Sequence, residues 1–409
     1  MNKKKIFNDP VYGFITIQSD LIFDILEHPY FQKLRRIKQV GLTDFVYPGA
    51  LHTRFHHALG AMHLMAITLD NLRSKGHHIS EQENEAALIA ILLHDVGHGP
   101  FSHTLEKSIL RETHHEELSL LIMKHLNATF DGKLDLALKI YTGQYHRQFF
   151  HQLVSSQLDI DRLDYLNRDS FFTGVSEGTI GADRIIKMMD IYDDQIVIEE
   201  KGIYSVENFL GARRLMYWQV YLHKTSISAE KMLSKIIARA KRIVHKKEDI
   251  FFTPALGIFL KREISIKDMT NDHAFLDAFC KLDDFDIWAC IKIWVDHPDP
   301  ILSTLSQLFL NRQLFSVKLS NKEFDKDTIL HLKEDICQKY KVSTDQSKYF
   351  MDTGFLTNAA YISEGQTINI LTKKGELIDV AQASDLPNIK AMSKIVKKYY
   401  LCWPKNVNL

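Results

Sequence analysis

Cysteine is scarce in this 409-residue chain: Cys280, Cys290, Cys337 and Cys402 are the four, all in the C-terminal third and none in a C-x-x-C pair. That spacing excludes a disulfide framework and a zinc–thiolate site, and it suits a reducing cytoplasm. An excess of one charge is lacking too, since 51 Lys and Arg balance 51 Asp and Glu. No global field draws the chain to nucleic acid or to an anionic membrane, so any anion site has to be local. Long apolar runs are missing. The longest, residues 86–93, falls far short of the roughly 20 residues that span a bilayer, and Met1-Asn2-Lys3-Lys4-Lys5 has no apolar signal segment behind it. Neither secretion nor membrane insertion is expected, and no repeat, low-complexity tract or Pro/Gly-rich linker divides the chain.

Histidine, by contrast, is plentiful and unevenly placed: 14 of the 20 lie within residues 52–151. Imidazole is the commonest metal ligand and titrates near neutrality, so this clustering points to a metal or proton-transfer site.

The apolar periodicity predicts a mainly α fold. Leu21, Ile22, Ile25, Leu26, Phe31, Leu34, Ile37 and Val40 form a three- and four-residue stripe broken at Pro29. Helical patterns follow over 54–72 and from a Ser80/Glu83 capping box to Asp95, where Gly97, Gly99 and Pro100 stop the helix. Further helices are expected over 103–110, 115–127, 151–170 and 181–190. A hairpin with strands 195–198 and 202–204 should precede one long helix, 206–246, capped by Ser205. Beyond it come more helices, a strand at 314–319, and a tail whose runs 367–371 and 377–380 look like short strands. The expected organisation is a helical catalytic domain over 1–250, with its core at about 50–170, and a mixed α+β region over 251–409.

Four residues from three separate helices carry the chemistry: His57, the pair His94–Asp95, and Asp161. Nitrogen and oxygen ligands from several helices can converge on one divalent ion and leave positions open for water and a phosphate oxygen. Neighbours in a helix point about 100° apart, so His94 and Asp95 reach one site only from a helix end, where the glycines place them. Any one of these residues alone would serve as well on a surface. The run Ile91-Leu92-Leu93, however, aims an imidazole and a carboxylate at the interior, where they need partners.

The order His57, His94–Asp95, Asp161 matches the signature of the HD superfamily. Thr53-Arg54-Phe55-His56-His57, Leu93-His94-Asp95-Val96-Gly97-His98-Gly99-Pro100-Phe101-Ser102-His103, His115-Glu116 and Ile160-Asp161-Arg162-Leu163-Asp164-Tyr165 resemble its dNTP triphosphohydrolase branch, over about residues 5–230. The resemblance implies that His57, His94, Asp95 and Asp161 bind one divalent metal, with iron, manganese, nickel, zinc and magnesium all open. It implies that His98, His103 and His115 surround the α-phosphate, with Asp161 beside them, and that Arg54, Arg162 and Arg213 hold phosphate oxygens. Gln39, Tyr165 and Asp169 would line the deoxyribose, and Tyr221 would close over the nucleoside. Arg162 stands where some relatives have Lys, and Leu222 where a polar base contact is expected, so base preference stays open. A second, weaker resemblance joins Lys5, Asn8, Gln32 and Arg35 to an activator-nucleotide site, although Asn8-Asp9-Pro10 is also a good turn on physical grounds. The implied partners are a dNTP, an activator nucleotide and further copies of the chain. Two other readings keep the same residues: hydrolysis of a different nucleotide, or a nucleotide-sensing oligomer without catalysis.

Overall fold

The computed structural model describes residues 5–110, 113–358, 367–386 and 396–407, apart from the side chains of His103, Lys107 and Asn358. The fold is mainly α with small sheets. Its centre is the Arg54–Ser74 helix, which packs against Glu81–Leu93 and Ile160–Thr173. The Ser80/Glu83 capping box forms as expected, with Ser80 N donating to Glu83 Oε2 at 2.8 Å. From Ala86 to Leu93 every side chain is buried. A helix apolar on all faces has to run through the interior, and this one therefore delivers His94 to the middle of the protein.

Three expectations are corrected. The hairpin exists, but its strands are Met189–Tyr192 and Gln195–Glu199. Its turn is Asp193–Asp194, both at positive φ, a conformation that Asp tolerates; Ile203 already belongs to the next helix. The long helix is also interrupted. Ile203–Met216 runs into a π-helical turn, Tyr217–Tyr221, and Lys224–His245 restarts with His223 as its N-cap, Nδ1 accepting Thr225 N at 3.1 Å. The run 151–170 likewise resolves into two helices, Gln148–Val154 and Ile160–Thr173.

Near the N-terminus, Ile6–Asp9 and Gly13–Thr16 form a hairpin around the expected Asn8-Asp9-Pro10 turn, with Asp9 Oδ1 accepting Val11 N and Tyr12 N at 2.9 and 3.0 Å. The later strands build two sheets. One runs in the order Met189–Tyr192, Gln195–Glu199, Asn369–Leu371, Leu377–Asp379, and the other has Val396–Trp403 between Ser316–Ser320 and Asp352–Asn358.

The C-terminal region also pins two loops of the helical core. Asp284, at the start of the Asp284–Trp294 helix, accepts Lys38 N at 2.9 Å and Phe101 N at 2.8 Å. Its carboxylate is 3% exposed, so removing it strands two buried amides. We expect Asp284→Ala to lower stability by roughly 2–4 kcal/mol, read from urea unfolding. A loss below about 1 kcal/mol would mean that water replaces the carboxylate.

Candidate active site

Each candidate metal ligand is set by a helix end. His57 lies in the first turn of Arg54–Ser74, where His56 Nδ1 accepts Thr53 N at 3.1 Å and completes the N-cap. His94 is the C-cap of Glu81–Leu93 and Asp95 follows it. Asp161 sits in the first turn of Ile160–Thr173, whose N-cap Asp159 accepts Arg162 N at 2.8 Å.

The donor atoms converge. His57 Nε2 is 3.1 Å from Asp161 Oδ1 and 3.4 Å from His94 Nε2, while His94 Nε2 is 3.2 Å from Asp161 Oδ1 and 3.4 Å from Asp95 Oδ1. Two donors each about 2.1 Å from one ion are about 3.0 Å apart at a right angle and about 3.4 Å apart at the tetrahedral angle. His57, His94 and Asp161 therefore fit one divalent cation, and Asp95 stands beside them with Oδ2 3.9 Å from His57 Nε2. Both imidazoles are also held from behind: His94 Nδ1 donates to the Ile91 carbonyl at 2.6 Å, and His57 Nδ1 lies 2.7 Å from Asp164 Oδ2. Such outer contacts select the tautomer that offers Nε2 to an ion.

Beside this cluster opens a cavity of about 840 Å³. It gathers Gln39, Arg54, His94, Asp95, His98, His115, Asp161, Arg162, Tyr165, Asp169 and Tyr221. The rings of His98 and His115 lie 4.0 Å apart, and His98 Nδ1 is 3.4 Å from Asp95 Oδ1. Asp95, His98 and His115 form a second group able to hold a cation. Gly97 permits this approach, because a Cβ there would meet the His115 carbonyl at 2.2 Å. Arg54 bonds Asp95 and gives Nε and Nη2 to Ser102 Oγ at 3.0 and 2.7 Å. Arg162 pairs with Asp159. Asp169 joins His52 and the Tyr221 hydroxyl, each at 2.6 Å.

One expected phosphate contact lies elsewhere. Arg213 is buried outside the cavity wall, with Nη1 on Gln157 Oε1 at 3.2 Å. His103 opens the His103–Ile109 helix, but its side chain lies outside the described residues. None of the activator candidates lines this cavity: Lys5 Nζ rests 3.0 Å from the Phe23 ring centroid, Arg35 rests over Phe55 and donates to Gln32 Oε1 at 2.9 Å, and Asn8 is exposed on the first strand.

Comparison with known proteins identifies the family. A family model described as "HD domain" matches residues 54–169, and one described as "HD associated region" matches 180–250. A Bacillus subtilis protein, YwfO, is 32% identical over 422 residues, covering 100% of this chain and 94% of its own. A crystal structure of a phosphohydrolase from Bacteroides thetaiotaomicron superposes with a TM-score of 0.95 at 50% identity, over 98% of this chain and 100% of that one. This chain belongs to the HD-domain phosphohydrolase family. A Dictyostelium discoideum protein described as a deoxynucleoside triphosphate triphosphohydrolase SAMHD1 homolog is 32% identical over 259 residues, 59% of this chain and 50% of its own.

In this HD phosphohydrolase several site residues escaped the sequence reading. Asp164 and Arg168 stand three and seven residues after Asp161, a helical spacing that puts them near one face and could have marked them. Ser102 and Glu106, which accepts His115 N at 2.7 Å, had no such signal. Glu230 lines the cavity, and burial pushes its carboxyl up to about 7 against the nearby Lys231.

The charges in the cluster are strongly coupled. Burial opposes a protonated His57, but hydrogen bonds to Asp161 and Asp164 and their charges overcome it and lift the imidazole to about 10. His94 is raised in the same way, burial being outweighed by the charges of Asp95 and Asp161. Burial likewise works against an ionised Asp161, yet His94 and His57 hold it below the usual carboxylate range. Without metal, His57 thus keeps a proton at neutral pH that an incoming cation has to displace. We expect apparent metal affinity to rise with pH between about 6 and 8, by about tenfold per unit for each proton displaced. Titration with Mn(II) at several pH values measures it, and a flat profile would contradict the assignment. The paired His94→Ala and Asp95→Ala variant should retain its circular dichroism and bind no metal.

Proposed function

We propose that this protein hydrolyses deoxynucleoside triphosphates at the α-phosphate, releasing deoxynucleoside and tripolyphosphate. The observation that carries the reading is a row of side chains on one helix. Asp161, Tyr165 and Asp169 follow at four-residue spacing along Ile160–Thr173 and all line the cavity, so metal-site carboxylate, aromatic ring and second carboxylate share one face. A phosphate beside Asp161 leaves a sugar over Tyr165, whose ring stands 6.2 Å from that of Tyr221. Asp169 fixes the Tyr221 hydroxyl, and Gln39 lies on the same cavity wall.

In this pose the α-phosphate faces Asp161, His98 and His115. Water adds at phosphorus, the bond to O5′ breaks, and an imidazole of the His98–His115 pair delivers the proton that the departing oxygen needs. Arg54 and Arg162 exchange their carboxylate partners for phosphate oxygens, to which guanidinium donors are well matched. His57, His94, Asp95 and Asp161 would hold a divalent ion, which would supply Lewis acidity at the phosphate, and iron, manganese, nickel, zinc and magnesium all suit the donor set. The description of the Dictyostelium homolog as a deoxynucleoside triphosphate triphosphohydrolase supports the substrate class. The reading extends to an activator nucleotide at Lys5, Asn8, Gln32 and Arg35 and to a homo-oligomer; two exposed cations, Lys5 and Arg35, each resting on an aromatic ring, support the former.

Two outcomes test the proposal. Each dNTP incubated with the metal-loaded protein should yield tripolyphosphate as the first phosphate product on anion chromatography; pyrophosphate or orthophosphate in its place would reject the pose. Tyr165 packed against C2′ leaves no volume for a hydroxyl, and a buried 2′-OH without a partner costs about 1–3 kcal/mol, or about one to two decades in kcat/KM. GTP should therefore be a poor substrate beside dGTP, and Tyr165→Ala should narrow the gap while lowering overall activity. Equal turnover of both sugars by the unmodified protein would make Tyr165 a packing residue.

A further inference from the structure

Behind His57 runs a line of alternating charges that ends on the N-terminal hairpin. His57 Nδ1 meets Asp164 Oδ2 at 2.7 Å. Asp164 receives the Arg168 guanidinium one helical turn later, Nε on Oδ2 and Nη2 on Oδ1, both at 3.0 Å. Arg168 extends its remaining donors to Asp9, Nη1 on Oδ2 at 2.7 Å and Nη2 on Oδ1 at 3.3 Å. Asp164 and Arg168 are fully buried and Asp9 is 6% exposed. The Tyr12 ring covers the guanidinium at 5.3 Å. Space for the line is reserved by Gly60, one turn after His57, since a Cβ there would lie 2.0 Å from Arg168 Nη2 and 2.1 Å from Asp164 Oδ1.

We propose that Asp9 and Arg168 are positioning residues that set the affinity of His57 for the metal. The inference rests on the metal-binding reading of the cluster. Its logic is charge sharing. Asp164 alone with Arg168 would be a neutralised pair, a weak acceptor for the His57 Nδ1 proton. Asp9 takes part of the guanidinium, and Asp164 keeps negative charge to orient His57 and to raise its basicity as a ligand. The bidentate fork also fixes Asp164 in angle, which a point charge would not. A hairpin more than 40 residues before the first ligand is thereby wired to the centre of the site.

The test is Mn(II) affinity of the full chain, measured by competition with a fluorescent chelator. Asp9→Asn keeps the side-chain size and an oxygen for the turn amides of Val11 and Tyr12, and it should weaken Mn(II) binding by about 10- to 100-fold. Arg168→Lys, which keeps the charge and loses the fork, should weaken it to a similar degree. The control is Phe7→Ala, which loosens the same hairpin by removing a ring 6.0 Å from Phe55 and leaves the charge line whole; its affinity should stay within about threefold of the unmodified chain. Affinities of Asp9→Asn and Arg168→Lys within that same margin, or an equal loss in Phe7→Ala, would overturn the positioning role. No Mn(II) binding by the unmodified chain would overturn the metal reading itself, and this inference with it.

Discussion

An ionised group in an apolar interior is tolerated only when opposite charge and hydrogen bonds replace the water it has lost. Much of this protein is arranged around that requirement at one point, the fully buried imidazole of His57. One nitrogen faces Asp161, the other Asp164. Every carboxylate added for His57 needs its own compensation, so the demand passes outward through Arg168 to Asp9, and on the cavity side through Asp95 to Arg54 and Ser102. Removing one member leaves its neighbour charged and unpaired, and the consequences of substitution here are expected to be strongly non-additive.

The burial of the candidate ligands His94 and Asp95 was legible because the apolar run before His94 can only be interior, and polar groups at the end of such a run need company. The capping box at Ser80 and Glu83 was legible for a local reason, since both partners lie within one helical turn. The other members of the charge line were hidden in plain view. Asp164 and Arg168 read as an ordinary i, i+4 ion pair, and on most helices that spacing marks a solvated face. What distinguishes this pair is burial, a property of the packing of Arg54–Ser74 against Ile160–Thr173 that no local pattern contains.

Elsewhere the misreadings share a physical origin. The hairpin was shifted because residues 199–201 read as its turn, while the chain turns at two aspartates in the left-handed region. The strand Val396–Trp403 escaped notice because its pairing partners lie tens of residues away. The C-terminal region was expected only as a mixed α+β part following the catalytic domain. In the fold, Asp284 holds the backbone next to Gln39 and at Phe101, and Phe101 and Ser102 are both at positive φ. That turn is conformationally costly, and the hydroxyl it presents is the one that receives Arg54.

The π-helical turn at Tyr217–Tyr221 closes with Leu222 N on the Tyr217 carbonyl at 2.7 Å. Such a turn accommodates one residue more than an α-helix would over the same rise. Deleting any one of residues 217–220 would let the segment relax into ordinary α geometry and would remove the widened turn from which the Tyr221 hydroxyl reaches Asp169. Across this turn the number of residues, more than the identity of any of them, decides whether the cavity keeps its second aromatic wall. An alignment that scores substitutions generously and gaps uniformly would pass over the position where a change in length matters most.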